Sequence, residues 1–580
     1  MPRRLPRHLL RHLLRPERRP LLLPRLSPRT RRRTVRTALA ATMLCLAGAA
    51  PAQAAPAPAS DGVRLAATPP MGWNDWAHYQ CGVTEATVTA NADALVSTGL
   101  AAKGYSTVTV DDCWMAPARD AHGDLVADPV KFPHGMAWLG GYLHARGLKF
   151  GIYEDAGSAT CEGYPGSGSP QGGGPDHFAR DAAAYAAWGV DYLKLDGCNL
   201  YVAPGRGKEE AYRQAYEAQA TALRATGRAI VFSVSAPAYF QHGEWGDSAW
   251  FDVLAWSGTV GQLWREGRDI TTWDPARPDA SRWAGVLNNY GYNRWLGRYA
   301  SPGHWNDPDF LIAGAGGLTD DESRSQVALW AMQAAPLILS SDVGHLTAAA
   351  RAALGNPALI AVDQDRLGRQ AGVVATDGAT DVLARPLAGG DRAVAVLNRG
   401  PAARTVTVRL ADLGLPGCSA TARDLWTGRA SATGDALTAT VPAHGTAIWR
   451  LTPHPGCART LPTGQLTGNG ATCATATGTA VTLHTCTATP DQRWTLNPDH
   501  TYRTLGHCLT APASPDAPAA LSPCTGAPAQ SWTATPDGTL VNAASGRCLE
   551  APAGATADGT LLDTGACGHF LPQQVWSVPN

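Results

Sequence analysis

Short β-rich runs alternate with helical segments along the first half of the chain, and this rhythm restricts the fold more than any other feature. The runs recur about every 40 residues, as YSTVTVDD (105–112), LKFGIYED (148–155), DYLKLD (191–196) and AIVFSVS (229–235). Between them lie segments with apolar residues at helical spacing, each ending in a glycine suited to a C-cap: HGMAWLGGYLHARG, HFARDAAAYAAWG and EEAYRQAYEAQATALRATG. The alternation predicts βαβ units and therefore a parallel sheet.

The length of this region distinguishes two folds that are built from parallel strands. The pattern extends from about residue 62 to residue 362, and about 300 residues suit a (β/α)8 barrel. A nucleotide-binding sheet is disfavoured, because no GxGxxG motif follows any of the strands. The sequence therefore predicts a (β/α)8 barrel over 62–362, and the chain of 580 residues has room for further domains.

The region 365–453 has a different pattern, in which alternating β segments are separated by turn residues. The segments are DVLARPL, RAVAVLNRG, TVTVRLADL and TAIWRLT. Alternation of this kind is typical of antiparallel sheets, so we expect an antiparallel β-sandwich after the barrel.

The last region, 457–580, is rich in Thr, Ala, Gly and Pro and contains an internal repeat. Three units end in a Gln-x-Trp element, at 492–494, at 530–532 and, with one residue inserted, at 573–576. Each unit also holds a cysteine pair: Cys473 with Cys486, Cys508 with Cys524, and Cys548 with Cys567. Because units of about 40 residues cannot each bury a core, the repeat predicts a β-trefoil stapled by disulfides.

The first 54 residues are unlike the rest, with 13 arginines, one acidic residue and the apolar run TALAATMLCLAGAA. We interpret 1–54 as a secretory leader and expect a secreted protein without a membrane span. The remaining chain has 35 basic and 47 acidic residues, a net charge of −12, which argues against nucleic acid as a partner. Its 12 cysteines form an even set without CxxC spacing, which favours disulfides over a metal site.

Polar residues near the ends of several predicted strands indicate a catalytic site. Lys194 and Asp196 are two residues apart, so their side chains lie on the same face of one strand. Asp111, Asp112 and Tyr153 are near the ends of neighbouring strands. A lone carboxylate at a strand end is typically a cap, but several at successive strand ends of a barrel are typical of an active site.

The residue types indicate glycoside hydrolysis. A buried carboxylate beside a lysine, as Asp196 is beside Lys194, keeps its charge and suits a nucleophile. A second carboxyl with a raised pKa can act as an acid and then as a base, and the candidate is Asp269 in LWREGRDI. Two such groups about 5 Å apart perform retaining hydrolysis without a metal or other cofactor. Aromatic residues near these strands are expected to divide between sugar contacts and the core: Trp73, Trp76, Trp114, Tyr153, Trp264 and Trp305.

A series of longer motifs makes the prediction specific. The motifs are TPPMGWNDW (68–76), VDDCWMAPARD (110–120), FPHGM (132–136), GLKFGIYEDAG (147–157), YLKLDGC, LWREGRDI and PGHWNDPDFL (302–311). Over about residues 62 to 450 this series resembles the α-galactosidase/α-N-acetylgalactosaminidase family of retaining glycoside hydrolases, family 27.

The resemblance implies roles for individual residues. Asp196 would be the nucleophile and Asp269 the acid/base. The galactose-shaped pocket would be lined by Trp76, Asp111, Asp112, Tyr153, Lys194, Arg265 and Asp309. The family's disulfides would join Cys81 to Cys113 and Cys161 to Cys198, which leaves Cys418 and Cys457 for each other. The substrate would be an oligosaccharide or polysaccharide.

Which sugar is accepted depends, within the family, on the loop after the fifth strand, SVSAPAY (233–239). Members selective for galactose carry a bulky pair where Ser235 and Ala238 stand, ahead of Tyr239, whereas enzymes that accept N-acetylgalactosamine resemble this sequence. Small side chains leave room for a 2-acetamido group but also admit galactose, so both sugars stay open. The chain departs from animal members at Val234, Ala236 and Phe310. Cleavage of β-L-arabinopyranosides ranks third among the activities.

The C-terminal repeat resembles ricin-B-type carbohydrate-binding modules, family 13. The acidic residue that usually follows Cys-Leu is present only as Glu550, where the other units have Thr475 and Thr510. At most the last unit is therefore expected to bind a glycan. An alternative of a different class is a sugar-binding protein with an inactive barrel, but the presence of both Asp196 and Asp269 argues against it.

Overall fold

The computed structural model describes residues 65–578, apart from 242–247, 271–279, 315–316, 377–378, 458–462, 469–471, 488, 516, 536–537 and 569–570. The predicted leader over 1–54 lies outside the described residues. Of the helices described, none is both long enough and apolar enough to cross a membrane.

In the described part of the chain, eight parallel strands form one sheet in the order β7-β6-β5-β4-β3-β2-β1-β8. They are β1 (Met71–Asn74), β2 (Thr107–Val110), β3 (Lys149–Asp155), β4 (Tyr192–Asp196), β5 (Val231–Val234), β6 (Leu263–Arg265), β7 (Trp305–Asp307) and β8 (Leu337–Leu339). β1 pairs with both β2 and β8, and Leu311, just after β7, forms a parallel bridge to Leu339. The sheet thus curls into the predicted (β/α)8 barrel.

Helices α1 to α8 connect the barrel strands, as the sequence rhythm predicted, and α9 and α10 follow the last of them. They are α1 (Trp76–Tyr79), α2 (Glu85–Ser97), α3 (Gly135–His144), α4 (Phe178–Trp188), α5 (Lys208–Ala225), α6 (Ser248–Val260), α7 (Ala280–Asn293), α8 (Asp320–Gln333), α9 (Ala348–Leu354) and α10 (Pro357–Asp363). Gly189 caps α4 in the left-handed conformation at φ 79°, which costs glycine little because it has no Cβ.

The second region is antiparallel and matches the predicted sandwich. A six-stranded sheet in the order β14-β13-β16-β11-β10-β9 and the pair β12-β15 make up its described part. The strands are β9 (Gly372–Thr376), β10 (Thr380–Pro386), β11 (Arg392–Asn398), β12 (Arg404–Arg409), β13 (Ala420–Asp424), β14 (Ala430–Thr433), β15 (Ala436–Val441) and β16 (Thr446–Pro453). One apolar cluster includes residues of both sheets, such as Val394 and Leu437.

The third region consists of short antiparallel strands. They are β17 (Thr463–Gln465), β18 (Thr472–Thr477), β19 (Ala480–Thr485), β20 (Arg493–Leu496), β21 (Tyr502–Thr504), β22 (His507–Thr510), β23 (Ala520–Pro523), β24 (Trp532–Ala534), β25 (Leu540–Asn542), β26 (Cys548–Glu550) and β27 (Asp563–Gly565). They surround an apolar cluster that contains the repeated tryptophans Trp494, Trp532 and Trp576.

The repeat has the same structural role in all three trefoil units. The indole Nε1 atoms of the three tryptophans donate to the backbone oxygens of Ala474, Leu509 and Leu549 at 2.7–3.0 Å. The three glutamines, in turn, donate to the side chain that follows Cys-Leu or its equivalent: Gln492 to Thr475, Gln530 to Thr510 and Gln574 to Glu550. The third element is therefore a regular Gln-x-Trp at 574–576, and the inserted residue that we expected there is wrong. Glu550 is therefore part of the packing of its unit.

The 12 cysteines that follow residue 54 form six disulfides. The three trefoil pairs and the two barrel pairs are those predicted, and Cys418 bonds to Cys457. Side-chain contacts also join the regions to one another. His444 of the sandwich stacks on Trp283 of the barrel at 5.3 Å between ring centroids, and Arg298 of the barrel donates to Ser577 of the trefoil at 3.0 Å.

Candidate active site

Asp111 lies at the centre of a hydrogen-bond network at the C-terminal ends of β1, β2 and β4. Its Oδ2 accepts from Lys194 Nζ at 2.7 Å and from Asn74 Nδ2 at 2.6 Å, while its backbone N–H donates to Asp75 Oδ1 at 2.8 Å. Burial lowers the pKa of Lys194, but the charges of Asp111 and Asp196 outweigh it and hold that pKa above its ordinary value. The lysine is therefore a fixed cation beside the two carboxylates.

Asp112, the next residue, is held by the backbone of two loops. Its Oδ1 accepts from Cys113 N at 2.6 Å, and its Oδ2 accepts from Glu162 N at 3.1 Å. Burial raises the pKa of Asp112 to about 6. The pair 111–112 therefore presents two carboxyl groups whose orientations are fixed before any ligand binds.

Asp196 ends β4 and remains partly accessible. Its Oδ1 accepts from Gly197 N at 3.0 Å and from the hydroxyl of Tyr239. The disulfide between Cys161 and Cys198 anchors the loop immediately after it. One carboxylate oxygen of Asp196 is thus tied to the protein by two donors.

Arg265, at the end of β6, links two further carboxylates. Its Nη2 atom lies 2.9 Å from Asp269 Oδ1, and its Nη1 atom lies 2.9 Å from Asp309 Oδ1. Burial raises the pKa of Asp309 to about 6, and the other oxygen of Asp309 accepts from Ile270 N at 2.7 Å. Arg265 therefore fixes the segment that carries Asp269.

The pKa of Asp269 differs from the raised value that we expected of an acid/base carboxyl. Burial raises the pKa, but the positive charges of Arg265 and Lys194 outweigh burial and leave the pKa below its ordinary value. The Asp269 side chain is 49% exposed, whereas Arg265 and Asp309 are buried. The carboxyl is accessible and ionised.

The aromatic residues near the strands divide unequally between the core and the site. Four tryptophans are fully buried and belong to the core: Trp73, Trp114, Trp264 and Trp305. Trp76 is partly exposed. The rings of Tyr153 and Phe310 lie 5.0 and 5.3 Å from Lys194 Nζ. These two rings form an aromatic wall around the lysine.

The turn after β5 is built from small side chains. Ser235 is buried and Ala238 is partly buried, and Ala238 N donates to Ser235 O at 3.1 Å. Within the described residues, Ser235 Oγ has no hydrogen-bond partner. Tyr239 ends the same turn and donates its hydroxyl hydrogen bond to Asp196. This hydrogen bond links the turn to Asp196.

Asn74 and Asp75 orient Asp111 from the end of β1, and neither was predicted as a site residue. The signal was present in the motif MGWNDW, because the polar Asn74 ends a buried strand and Asp75 follows it directly. A possible metal-binding group, Asp155 with Cys161 and Cys198, also occurs among the described residues. Its two sulfurs are joined in a disulfide, so they are not available as thiolate ligands.

Comparisons with known proteins agree with this architecture. Family models match residues 68–365 (alpha galactosidase A), 377–451 (the alpha galactosidase C-terminal beta sandwich domain) and 463–576 (the ricin-type beta-trefoil lectin domain). An alpha-galactosidase A from Aspergillus niger is 42% identical over 454 residues, which are 77% of this chain and 81% of that protein.

Solved structures are similar to the same region. Alpha-galactosidase I from Mortierella vinacea matches with a TM-score of 0.58 and 32% identity, over 67% of this chain and 98% of that chain. A β-L-arabinopyranosidase of family 27 from Geobacillus stearothermophilus matches with a TM-score of 0.55 and 25% identity over the same shares. The chain belongs to the α-galactosidase family of glycoside hydrolases, family 27, and carries a ricin-type trefoil domain.

Proposed function

We propose that the protein is a secreted, exo-acting retaining glycosidase that removes terminal α-linked galactose-configured sugars. The observation that carries the proposal is the convergence of Asp196, the Asp111–Lys194 pair and the Arg265–Asp269 pair at strand ends of a family 27 barrel. Its relatives are named alpha-galactosidases. Carboxyl groups suffice for this reaction, so no cofactor is required.

In the first step, Asp196 attacks the anomeric carbon of the bound sugar. A bond forms between a carboxylate oxygen and that carbon, while the bond to the leaving-group oxygen breaks and Asp269 gives that oxygen its proton. In the second step Asp269 takes a proton from water, whose oxygen attacks the anomeric carbon and releases Asp196. Two inversions leave the product with the α configuration.

The electrostatics of the two carboxyls suit unequal roles. Asp269 is stabilised as a carboxylate by Arg265, which is the form required of the base in the second step. The first step uses the protonated form, so catalysis starts from the fraction of Asp269 that carries a proton. The charge of Asp196 is among those that raise the pKa of Lys194, so the proposed nucleophile lies near a fixed cation.

Recognition of galactose would rest on the paired carboxyls. Asp111, Asp112 and Lys194 offer charged partners to sugar hydroxyls, and hydrogen bonds to charged groups are stronger than those between neutral groups. Trp76 would stack on the apolar face of the sugar, and Tyr153, Arg265, Asp309 and Tyr239 would complete the pocket.

Acceptance of N-acetylgalactosamine is the finer part of the proposal. The support is the unpartnered Ser235 Oγ beside the small side chain of Ala238. The hydroxyl would bind the acetamido group, while its methyl would contact Ala238. A dedicated α-N-acetylgalactosaminidase is the alternative. β-L-Arabinopyranosidase activity ranks third, with the family 27 enzyme from Geobacillus stearothermophilus as a structural neighbour.

The test is the ratio of kcat/KM on an aryl α-galactoside and an aryl α-N-acetylgalactosaminide, measured with the Asp196→Asn variant as control. Turnover of the galactoside that is lost in the variant supports the proposal. Turnover of the acetamido sugar supports the assignment of Ser235 and Ala238. An active Asp196→Asn variant, or turnover of the arabinopyranoside alone, would overturn the proposal.

Secretion is proposed from the leader predicted over 1–54 and from the six disulfides, which persist in oxidising compartments. The partners would be the glycoside substrate and a glycan bound by the trefoil. Neither a membrane nor nucleic acid is proposed as a partner.

A further inference from the structure

Asp269 lies in a short segment after β6 (266–270), and buried residues hold the backbone on both sides of it. The Asp269 side chain is 49% exposed, so the position of its carboxyl depends on the backbone that carries it. The residue before it, Arg268, contacts α7, and the residue after it, Ile270, contacts the segment after β7 (308–310). These two elements therefore support the proposed acid/base carboxyl.

Asn289 of α7 holds the residue before Asp269. Its side chain is fully buried, and its Nδ2 donates both to Arg268 O at 3.1 Å and to Pro308 O at 2.9 Å. The amide carries two hydrogens, so one group can make both bonds at once. Asn289 Oδ1 accepts from Asn288 Nδ2 at 3.0 Å. A single buried side chain therefore joins the segment of Asp269 to the segment after β7.

The residue after Asp269 is held by two elements. Ile270 N donates to Asp309 Oδ2 at 2.7 Å. The Ile270 carbonyl lies against α7, because a Cβ placed on Gly285 would be only 1.9 Å from its oxygen, so glycine is needed for this close approach. Gly285 and Asn289 are four residues apart and lie on one face of α7. That face therefore contacts the chain both before and after Asp269.

Asp309 is itself held in an uncommon backbone conformation. Its φ is 78°, in the left-handed region that residues other than glycine seldom adopt. Its N–H donates to Asp307 Oδ1 at 2.9 Å, and its carbonyl accepts from Trp330 Nε1 at 2.8 Å. Such conformations persist where the surroundings fix them, and they cluster at functional sites. The segment after β7 is therefore a fixed support to which Asn289 and Ile270 are bonded.

We infer that Asn289 is a positioning residue for Asp269, an inference that rests on the proposed role of Asp269 as the catalytic acid. Without the amide, Arg268 O loses this bond to α7, and the Asp269 carboxyl is no longer held where it protonates the leaving-group oxygen. A proton donor must lie within hydrogen-bond distance of the atom that it protonates, so a small displacement reduces the rate strongly.

Two substrates that differ in their need for an acid test this role. Melibiose releases glucose, whose oxygen must receive the proton of Asp269, whereas α-galactosyl fluoride releases a fluoride ion that needs no proton. On each substrate kcat/KM reports the loss of transition-state stabilisation relative to the free enzyme. The ratio of the two values therefore measures acid catalysis. Partial unfolding lowers both values equally and leaves the ratio unchanged.

The informative variant is Asn289→Ala. If it does not fold, Asn289→Asp takes its place, because aspartate has the same shape but lacks the NH2 donor. Asn293→Ala is the matched control, since Asn293 is also fully buried on α7 but donates to Gln333 Oε1 at 3.1 Å. Asp269→Ala is the reference for complete loss of the acid.

We expect Asp269→Ala to lower kcat/KM on melibiose at least about 100-fold more than on the fluoride, and Asn289→Ala at least about 10-fold more. Asn293→Ala should keep the wild-type ratio. If Asn289→Ala also keeps that ratio, or if Asn293→Ala changes it as much, Asn289 is not a positioning residue, while the role of Asp269 stands. If Asp269→Ala keeps the wild-type ratio, Asp269 is not the acid, and both assignments are overturned.

Discussion

Tyr239 donates its hydroxyl hydrogen bond to Asp196 and accepts one from Gly197 N at 3.1 Å. The same short turn carries Ser235 and Ala238. The turn that would select the sugar is therefore connected to the residue that would attack it.

Replacement of Tyr239 by Phe tests this connection. Without the hydroxyl, Asp196 loses one of two donors that orient its carboxylate, so we expect kcat/KM to fall about 10- to 100-fold, as for a misplaced reacting group. The matched control is Tyr212→Phe, because the Tyr212 hydroxyl donates to Gly197 O at 2.7 Å in the same loop. Equal loss of activity in both variants would show that the Tyr239 hydroxyl only holds the loop.

The Arg265–Asp269 pair predicts a change in pH dependence. Arg265→Gln removes the cation that stabilises the Asp269 carboxylate, so the pKa of Asp269 rises. The basic limb of the kcat/KM profile reports the acid of the free enzyme, and it should move to higher pH while kcat/KM falls. Asp269→Asn is the control and should abolish this limb. If the basic limb of Arg265→Gln stays at the wild-type pH, the result would contradict the role of Asp269 as the catalytic acid.

The size of residue 238 should control acceptance of the acetamido sugar. In Ala238→Leu the larger side chain fills the space for the acetamido methyl, so we expect kcat/KM on the aryl α-N-acetylgalactosaminide to fall about 100-fold. Activity on the galactoside should change little. Ala238→Ser keeps the side chain small and is the matched control. A parallel loss on both sugars in Ala238→Leu would argue against an acetamido pocket.

The two disulfides Cys161–Cys198 and Cys418–Cys457 provide a matched pair. They span 37 and 39 residues, so loss of either should reduce stability by a similar amount, about 2–4 kcal/mol. Only the first is adjacent to Asp196. We expect two double variants, Cys161→Ala with Cys198→Ala and Cys418→Ala with Cys457→Ala, each to have a lower Tm than the wild type. At a temperature where both variants are folded, only the first should have a lower kcat. Reduced kcat in the sandwich variant would contradict this assignment.

Local patterns predicted the fold because each region repeats one kind of unit. The strand and helix periods gave the barrel, and the Gln-x-Trp elements gave the trefoil, whose tryptophans fill its core. From the sequence, Lys194 and Asp111 could be predicted only as separate polar residues near the ends of two strands. Their ion pair at 2.7 Å depends on the pairing of strands, which no local pattern contains.

Other features depend on contacts between residues that are distant in the sequence. The lowered pKa of Asp269 requires the position of Arg265, and the hydrogen bond of Tyr239 to Asp196 joins residues of two loops. None of these contacts has a sequence motif of its own.

The most direct test of the catalytic account is identification of the nucleophile by mass spectrometry. The protein is incubated with 5-fluoro-α-galactosyl fluoride, which forms a slowly hydrolysed ester with a retaining enzyme, and is then digested and mapped. The account predicts a fluorogalactosyl adduct on Asp196, with none in the Asp196→Asn variant. An adduct on another carboxylate, or unmodified protein after turnover of the reagent, would contradict a retaining mechanism through Asp196.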